Sequence, residues 1–213
     1  PFLEATTRFD ASKGLDAPAT LQMTSRFRGD AANGLRQMVA TVPRADLERN
    51  FRQQVSGSMS WVDVQNVDWA DDAENDAFEV RISGVADLDW RKNPDLGARE
   101  YRVTPPSNAA PGYPRREPGP NRDAPYAVPF PLYVRTTTEI VLPGSGKGFI
   151  VRGPSGRETL GGMELVRAAG IKDGVARFTT DLRSLQPEIS APEAEAASRA
   201  FRSEEHTSEL QSH

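Results

Sequence analysis

From Leu132 to Leu142 the chain alternates without a break between Leu132, Val134, Thr136, Thr138, Ile140 and Leu142 on one side and Tyr133, Arg135, Thr137, Glu139 and Val141 on the other. A two-residue period puts the two sets on opposite faces of an extended backbone, and no helix satisfies it. This predicts a long strand, rich in the β-branched residues that suit a pleated surface, ending at Pro143-Gly144. Downstream, Phe149–Val151 reads as a short strand. Met163–Arg167 reads as the partner of Val175–Leu182 across Lys172-Asp173-Gly174, a hairpin signal of the Asp-Gly kind. Ser190 and Glu193 have the spacing of a capping box, with Pro192 in the first turn, and predict a helix through Ala200.

Upstream, Leu21, Met23 and Phe27, with Ser25 between them, show the same strand period. The period then changes. Gly29-Asp30 offers a turn and a helix cap, and Ala31, Leu35, Met38, Val39 and Val42 recur at helical spacing until Pro43. A second short helix follows, with Leu47 and Phe51 on one face. Between Trp61 and Trp90 alternation returns: Trp61 to Val64, then Phe78, Val80 and Ile82, then Ala86, Leu88 and Trp90, read as three or more antiparallel strands joined by an acidic loop over 68–76. Nine of the 17 prolines fall between Pro105 and Pro131. Proline lacks an amide donor and is excluded from central strands, so this stretch is predicted as an extended excursion or linker. The organisation expected is a β-rich unit over 1–104 with a helical insertion near 30–54, the proline-rich segment 105–131, and a second β segment over 132–201 ending in a helix. The fold class is mostly β: one or two antiparallel, sandwich-like units with a helical insertion and a C-terminal helix.

Residues 202–213 are set apart. Arg202 to Ser212 spells RSEEHTSELQS, the in-frame translation of a common sequencing-library adapter, so this tail is read as adapter-derived, and Pro1 is read as a cut inside a longer protein. Both histidines, His206 and His213, lie in the tail, and cysteine is absent throughout. Removing Arg202, Glu204, Glu205 and Glu209 takes the net charge from -4 to -2. So even a balance argues against nucleic acid as the main partner, which requires a basic face. No apolar run approaches the roughly 20 residues that span a bilayer, which predicts a soluble fragment.

Few motifs carry chemistry. Gly144-Ser145-Gly146-Lys147-Gly148 fails as a phosphate loop, because Val141 stands where the first glycine belongs and Gly148 where a Ser or Thr belongs; it reads as a flexible strand connection. Asp68, Asp71, Asp72, Glu74 and Asp76 are weak candidates for Ca²⁺, since they lack the ligand order and turn glycine of an EF-hand; a solvated hairpin tip is the simpler reading. Asp63, Asp87 and Asp89 sit on alternating strands, and nothing marks any two of them as an acid/base pair. Cys-His and Ser-His catalysis need an imidazole that the body lacks, and none of the four lysines, Lys13, Lys92, Lys147 and Lys172, has a serine at Ser-x-x-Lys spacing. No catalytic residue and no cofactor is predicted. Trp61, Trp69 and Trp90 are expected in the core. Tyr113, Tyr126 and Tyr133 form a candidate platform for a glycan or peptide, and Tyr113 and Tyr126 are the better candidates for exposure.

Short stretches carry a resemblance: Phe27-Arg28-Gly29-Asp30-Ala31-Ala32-Asn33-Gly34-Leu35-Arg36, Val128-Pro129-Phe130-Pro131, Glu139-Ile140-Val141-Leu142-Pro143 and Glu188-Ile189-Ser190. Together with strands around an acidic turn, over 21–201, they resemble the region that follows the catalytic core in bacterial transglutaminase-like proteins. Those proteins also carry an N-terminal domain of unknown function ahead of the core. The resemblance implies a papain-type Cys-His-Asp core outside this chain, an exported and frequently periplasmic parent, and a non-catalytic β-rich accessory role here, with that core as intramolecular partner. No triad position carries over to a residue of this sequence.

Overall fold

Alternating strands with one apolar face must bury that face, and here they do so in one continuous sheet. The computed structural model describes residues 1–94, 97–103, 113, 116, 119 and 122–209, with side chains through residue 200. The elements in chain order are β1 (Leu3–Asp10), β2 (Ala19–Arg28), α1 (Asp30–Thr41), α2 (Arg44–Ser58), β3 (Val62–Asp72), β4 (Ala77–Ala86), β5 (Arg91–Asn93), β6 (Ala98–Glu100), β7 (Tyr126–Ala127), β8 (Tyr133–Val141), β9 (Gly156–Leu160), β10 (Met163–Lys172), β11 (Val175–Ser184), β12 (Glu188–Ile189) and α3 (Ala191–Glu209). Among the described residues eight strands form the main sheet, in the order β3-β4-β2-β1-β8-β11-β10-β9, and β5–β6 and β7–β12 form two small ribbons. The fold is mostly β, with the helical insertion and C-terminal helix that the sequence predicts.

Two findings refine that expectation. The segments 1–104 and 132–201 share one sheet, because β1 pairs with β8 from Leu3↔Val134 to Asp10↔Val141. This ladder is parallel, whereas the other main-sheet ladders are antiparallel. The layer opposite the sheet is built chiefly from helices and short ribbons. Phe9, Leu21, Val67, Phe78, Val80, Ile82, Ile140 and Ala176 share one face and pack with Ala32 and Val55 of the two inserted helices, together with the half-buried Leu35, Val39 and Phe51. Further along the same face, Met163 and Leu182 pack with Tyr113, Val128 and Ile189 and with Ala194 and Ala197 of α3.

Local chemistry fixes the elements. Gly29, at φ 60, takes the cap position before α1, so Asp30 is the first helical residue rather than the cap, where its charge suits the helix N-terminus. At α3 the capping box forms as predicted: Glu193 Oε2 accepts from the Ser190 amide at 2.8 Å, and Ser190 Oγ accepts from the Glu193 amide at 3.4 Å. The helix runs to Glu209, into the residues read as adapter-derived.

Other expectations shift. Phe149–Val151 forms no strand; Phe149 and Val151 pack against the main core while Ile150 faces solvent. The turn at Pro143–Gly146 is packed rather than loose: a Cβ at Gly174 would meet Ser145 backbone at 3.0 Å, so the two turns interlock. Much of the proline-rich segment lies outside the described residues; its end, from 122, includes β7, which pairs with β12. No helix among the described residues is long and apolar enough to cross a membrane.

Gly84 marks the tightest approach in the sheet. It faces the β3 bulge between Val64 and Asn66, and a Cβ there would sit 2.1 Å from the Asp63 carbonyl oxygen, a backbone atom with no rotamer to yield. Gly84→Ala is expected to destabilise the chain by about 2–3 kcal/mol or more, whereas Gly34→Ala, in α1 with nothing within 4 Å, should stabilise it by about 0.5–1 kcal/mol. Urea unfolding of the two variants checks both signs.

Candidate functional site

The face of the sheet opposite the core is predominantly polar, with Val85, Val141, Val166 and Val175 among its charged residues and threonines, and its register brings opposite charges together. Arg8, Glu139 and Arg177 are direct neighbours across β1, β8 and β11. Glu139 accepts from Arg8 Nη1 at 2.6 Å and from Arg177 Nη2 at 2.6 Å, and its side chain is only 13% exposed. The pattern recurs. Glu79 lies between Arg26 and Arg81, at 3.2 and 2.5 Å, and Glu164 lies between Arg157 and Arg183, at 3.2 and 2.6 Å. Arg135 makes a two-pronged contact with Asp181, at 2.6 and 3.0 Å, and donates to the Tyr133 phenol at 2.9 Å. Planar guanidinium groups suit this geometry, and only four of the 26 basic residues are lysines.

The five acidic candidates are dispersed over strand and turn, and arginines pair with Asp68, Asp71, Asp72 and Asp76. Residues 68–72 belong to β3 rather than to a loop, because Val67 and Trp69 continue the buried alternation; only Ala73–Asn75 forms a 3₁₀ turn. Arg36 from α1 donates to Asp71 at 2.9 Å and to Asp76 at 3.0 Å. Arg44 from α2 donates to Asp68 at 3.2 Å, and Asp72 accepts from the Asn75 amide at 3.3 Å. The Trp69 amide and then Arg44 hold the Asp68 carboxyl below its ordinary range. Glu74 stands in the turn, exposed. Among the described residues no group of three His, Cys, Asp or Glu side chains is arranged to hold a metal ion.

The tyrosine platform does not form as expected. Tyr113 is buried, with its hydroxyl donating to the Gly161 carbonyl at 2.6 Å, and burial pushes its phenol up. Tyr126 meets it edge-on at 5.7 Å and carries the Arg116 guanidinium 3.9 Å over its ring. Tyr133 stands apart, on the charged face beside Arg135. Tyr113 is thus a core residue, tied by its hydroxyl to the Gly161-Gly162 turn and, through its carbonyl, to Ser198 of α3. Trp69 and Trp90 pack half-buried against the main core as expected, whereas Trp61 is exposed at 37%. Phe9, Trp61, Tyr101, Trp90 and Phe149 form a chain of ring contacts 5.4–6.4 Å apart, in which burial pushes the Tyr101 phenol up to about 12. Trp69 packs on Phe51 under Arg44. Of the carboxylates weighed for acid/base work, Asp89 pairs with Arg91 at 2.6 Å, and Asp63 and Asp87 are exposed.

Comparison with known proteins adds no relative: no family model matches the chain, and no curated protein or solved structure matches it.

Burial alone would raise the Glu139 carboxyl, but hydrogen bonds from Arg8 and Arg177, with their charges, outweigh it and hold the group below its ordinary 4.5. A folded value below the unfolded one means that Glu139 contributes stability above 4.5 and loses it as pH falls through the lowered value. The stability gap between the parent chain and Glu139→Gln should therefore narrow as urea unfolding is repeated from pH 7 down to about pH 3. A gap independent of pH would refute this assignment.

Proposed function

We propose that the chain is a non-catalytic accessory region that packs beside a transglutaminase-like core of the papain type, within an exported, periplasmic protein. The observation that carries this reading is an apolar rim at one end of the sheet. Phe2 precedes β1, Phe130 and Pro131 precede β8, and Leu185 follows β11. The parallel and antiparallel ladders bring these three strand ends side by side. The Phe2 amide donates to the Tyr133 carbonyl at 2.8 Å, and the Ser184 amide to that of Leu132 at 2.9 Å. Phe2, Phe130 and Leu185 remain 41%, 51% and 45% exposed. Large apolar side chains gathered on a surface mark a docking region, and a neighbouring domain of the same protein is the occupant that the family resemblance supplies.

Two measurements test the reading. Sequencing the locus on the 5′ side of the Pro1 codon should reveal an in-frame core with cysteine, histidine and aspartate; a frame opening directly on a signal peptide would defeat it. The chain by itself should self-associate in sedimentation velocity, and the double variant Phe130→Asp/Leu185→Asp should return it to a monomer. A parent chain that stays monomeric at high concentration would count against a rim built for a partner.

A further inference from the structure

The β10–β11 hairpin carries a backbone edge that no described strand covers. β9 pairs with β10 from Met163 to Arg167 only, whereas β10 continues to Lys172. The turns decide which backbone groups point outward. Asp173-Gly174 is a two-residue turn, so Lys172 and Val175 close it as a hydrogen-bonded pair; Lys172, Gly170 and Ala168 therefore direct their amides and carbonyls to β11. Ala169 and Ile171, between them, direct theirs away from it. The same parity, continued to Arg167, Leu165 and Met163, serves β9, which closes on Leu160↔Met163 across the two-residue Gly161-Gly162 turn. At Ala169 and Ile171 the outward donors and acceptors meet no backbone partner among the described residues.

Solvent reaches the hairpin beside this edge: a concavity of about 480 Å³ is lined by residues 168–173 and by Val175, Arg177 and Thr179, and a Cβ at Gly170, on the polar face, would meet nothing within 4 Å. The opposite edge of the sheet is guarded, because Arg52 of α2 donates to the Val64 and Gln65 carbonyls at the β3 bulge. Around the open edge the cations Lys172, Arg152 and Arg177 outnumber the one carboxylate of the concavity, Asp173. Lys172 and Arg152 have no ion pair among the described residues, and Arg177 keeps 64% of its side chain exposed while holding Glu139. Arg152 adjoins Gly153, where a Cβ would lie 3.5 Å from that of Ala169.

We propose that the outer edge of β10, from Ala168 to Lys172, binds an extended acidic peptide segment as an added strand in line with β9. Main-chain bonds to Ala169 and Ile171 supply the pairing, and carboxylates of the segment meet Lys172 on the polar face and Arg152 beside the edge. A second copy of the chain is the poorer occupant: the strand Ala168–Lys172 carries a lysine and no acid, so pairing it with itself brings no carboxylate to those cations. This edge lies at the opposite end of the sheet from the apolar rim and does not rest on the accessory reading.

The test is a fluorescence anisotropy titration of the full chain, at low salt, with a labelled peptide of about eight alternating valines and glutamates, and with its lysine counterpart. Saturable binding of the glutamate peptide is expected, with the lysine peptide weaker by about tenfold or more. Ala169→Pro removes one outward donor without touching the β11 ladder and should abolish binding; Lys172→Glu should weaken it about tenfold. Hydrogen exchange on the unmutated chain gives a readout independent of any variant: the Ala169 and Ile171 amides should exchange fast in the free chain and slowly with the glutamate peptide. Failure of both peptides to bind, unchanged binding by Ala169→Pro, or protected amides in the dilute free chain would overturn the proposal. Protection that grows with protein concentration alone would assign the edge to a second copy and overturn it too.

Discussion

The parallel ladder between β1 and β8 is the contact on which the architecture depends. Without it the chain is two four-stranded pieces, β3-β4-β2-β1 and β8-β11-β10-β9, each with one apolar face and one raw edge. With it, the apolar faces become a single surface long enough for α1 and α2 at one part and α3 at another. The polar faces merge as well. Arg8 reaches Glu139 only because Leu3↔Val134 sets the register, and a slip of one residue would put the two side chains on opposite faces of the sheet.

The arginine–glutamate groups on that merged face follow a consistent electrostatic logic. Each glutamate is nearly covered, and a covered carboxylate without partners is costly. Two guanidinium groups on each of Glu79, Glu139 and Glu164 satisfy its oxygens and leave one excess positive charge per group at the surface. The arginines stay largely exposed, so individual pairs add little stability; their effect is to make the register specific and the face unattractive to apolar partners. The proposed docking rim at Phe2, Phe130 and Leu185 and the proposed strand addition at the end of β10 both lie at the margins of this face.

Local pattern made much of this readable in advance. The alternation over 132–142 and the Asp-Gly turn locate β8, β10 and β11, although Lys172, read as part of the turn, ends β10 opposite Val175 instead. The capping box locates the start of α3, and the change of period at Gly29 the start of α1. What could not be read were features set by contacts distant in sequence. β1 has Ala5 and Thr7 at inward positions, too weak an apolar signal to announce a strand, and β9 has only Leu160 in the core. Tyr113 looked exposed because proline surrounds it, whereas its hydroxyl is fixed by a carbonyl 48 residues away. The acidic cluster looked like a loop because aspartate is rare in strands, and the arginines of α1 and α2 that make it tolerable there are invisible to local pattern.

The parallel ladder also governs the order in which the molecule can be made. Its strands are separated by 131 residues at the Arg8–Glu139 pair, and a ribosome delivers the first long before the second. Through most of synthesis β1 can pair with β2 while its other edge stays unsatisfied, a template for whatever strand arrives. A loop of that length must also close before the ladder returns any stabilisation, so the topology is one of high contact order and slow assembly. The vulnerable species is therefore the half-made chain, and its weak point is the margin of β1 that the finished sheet hides.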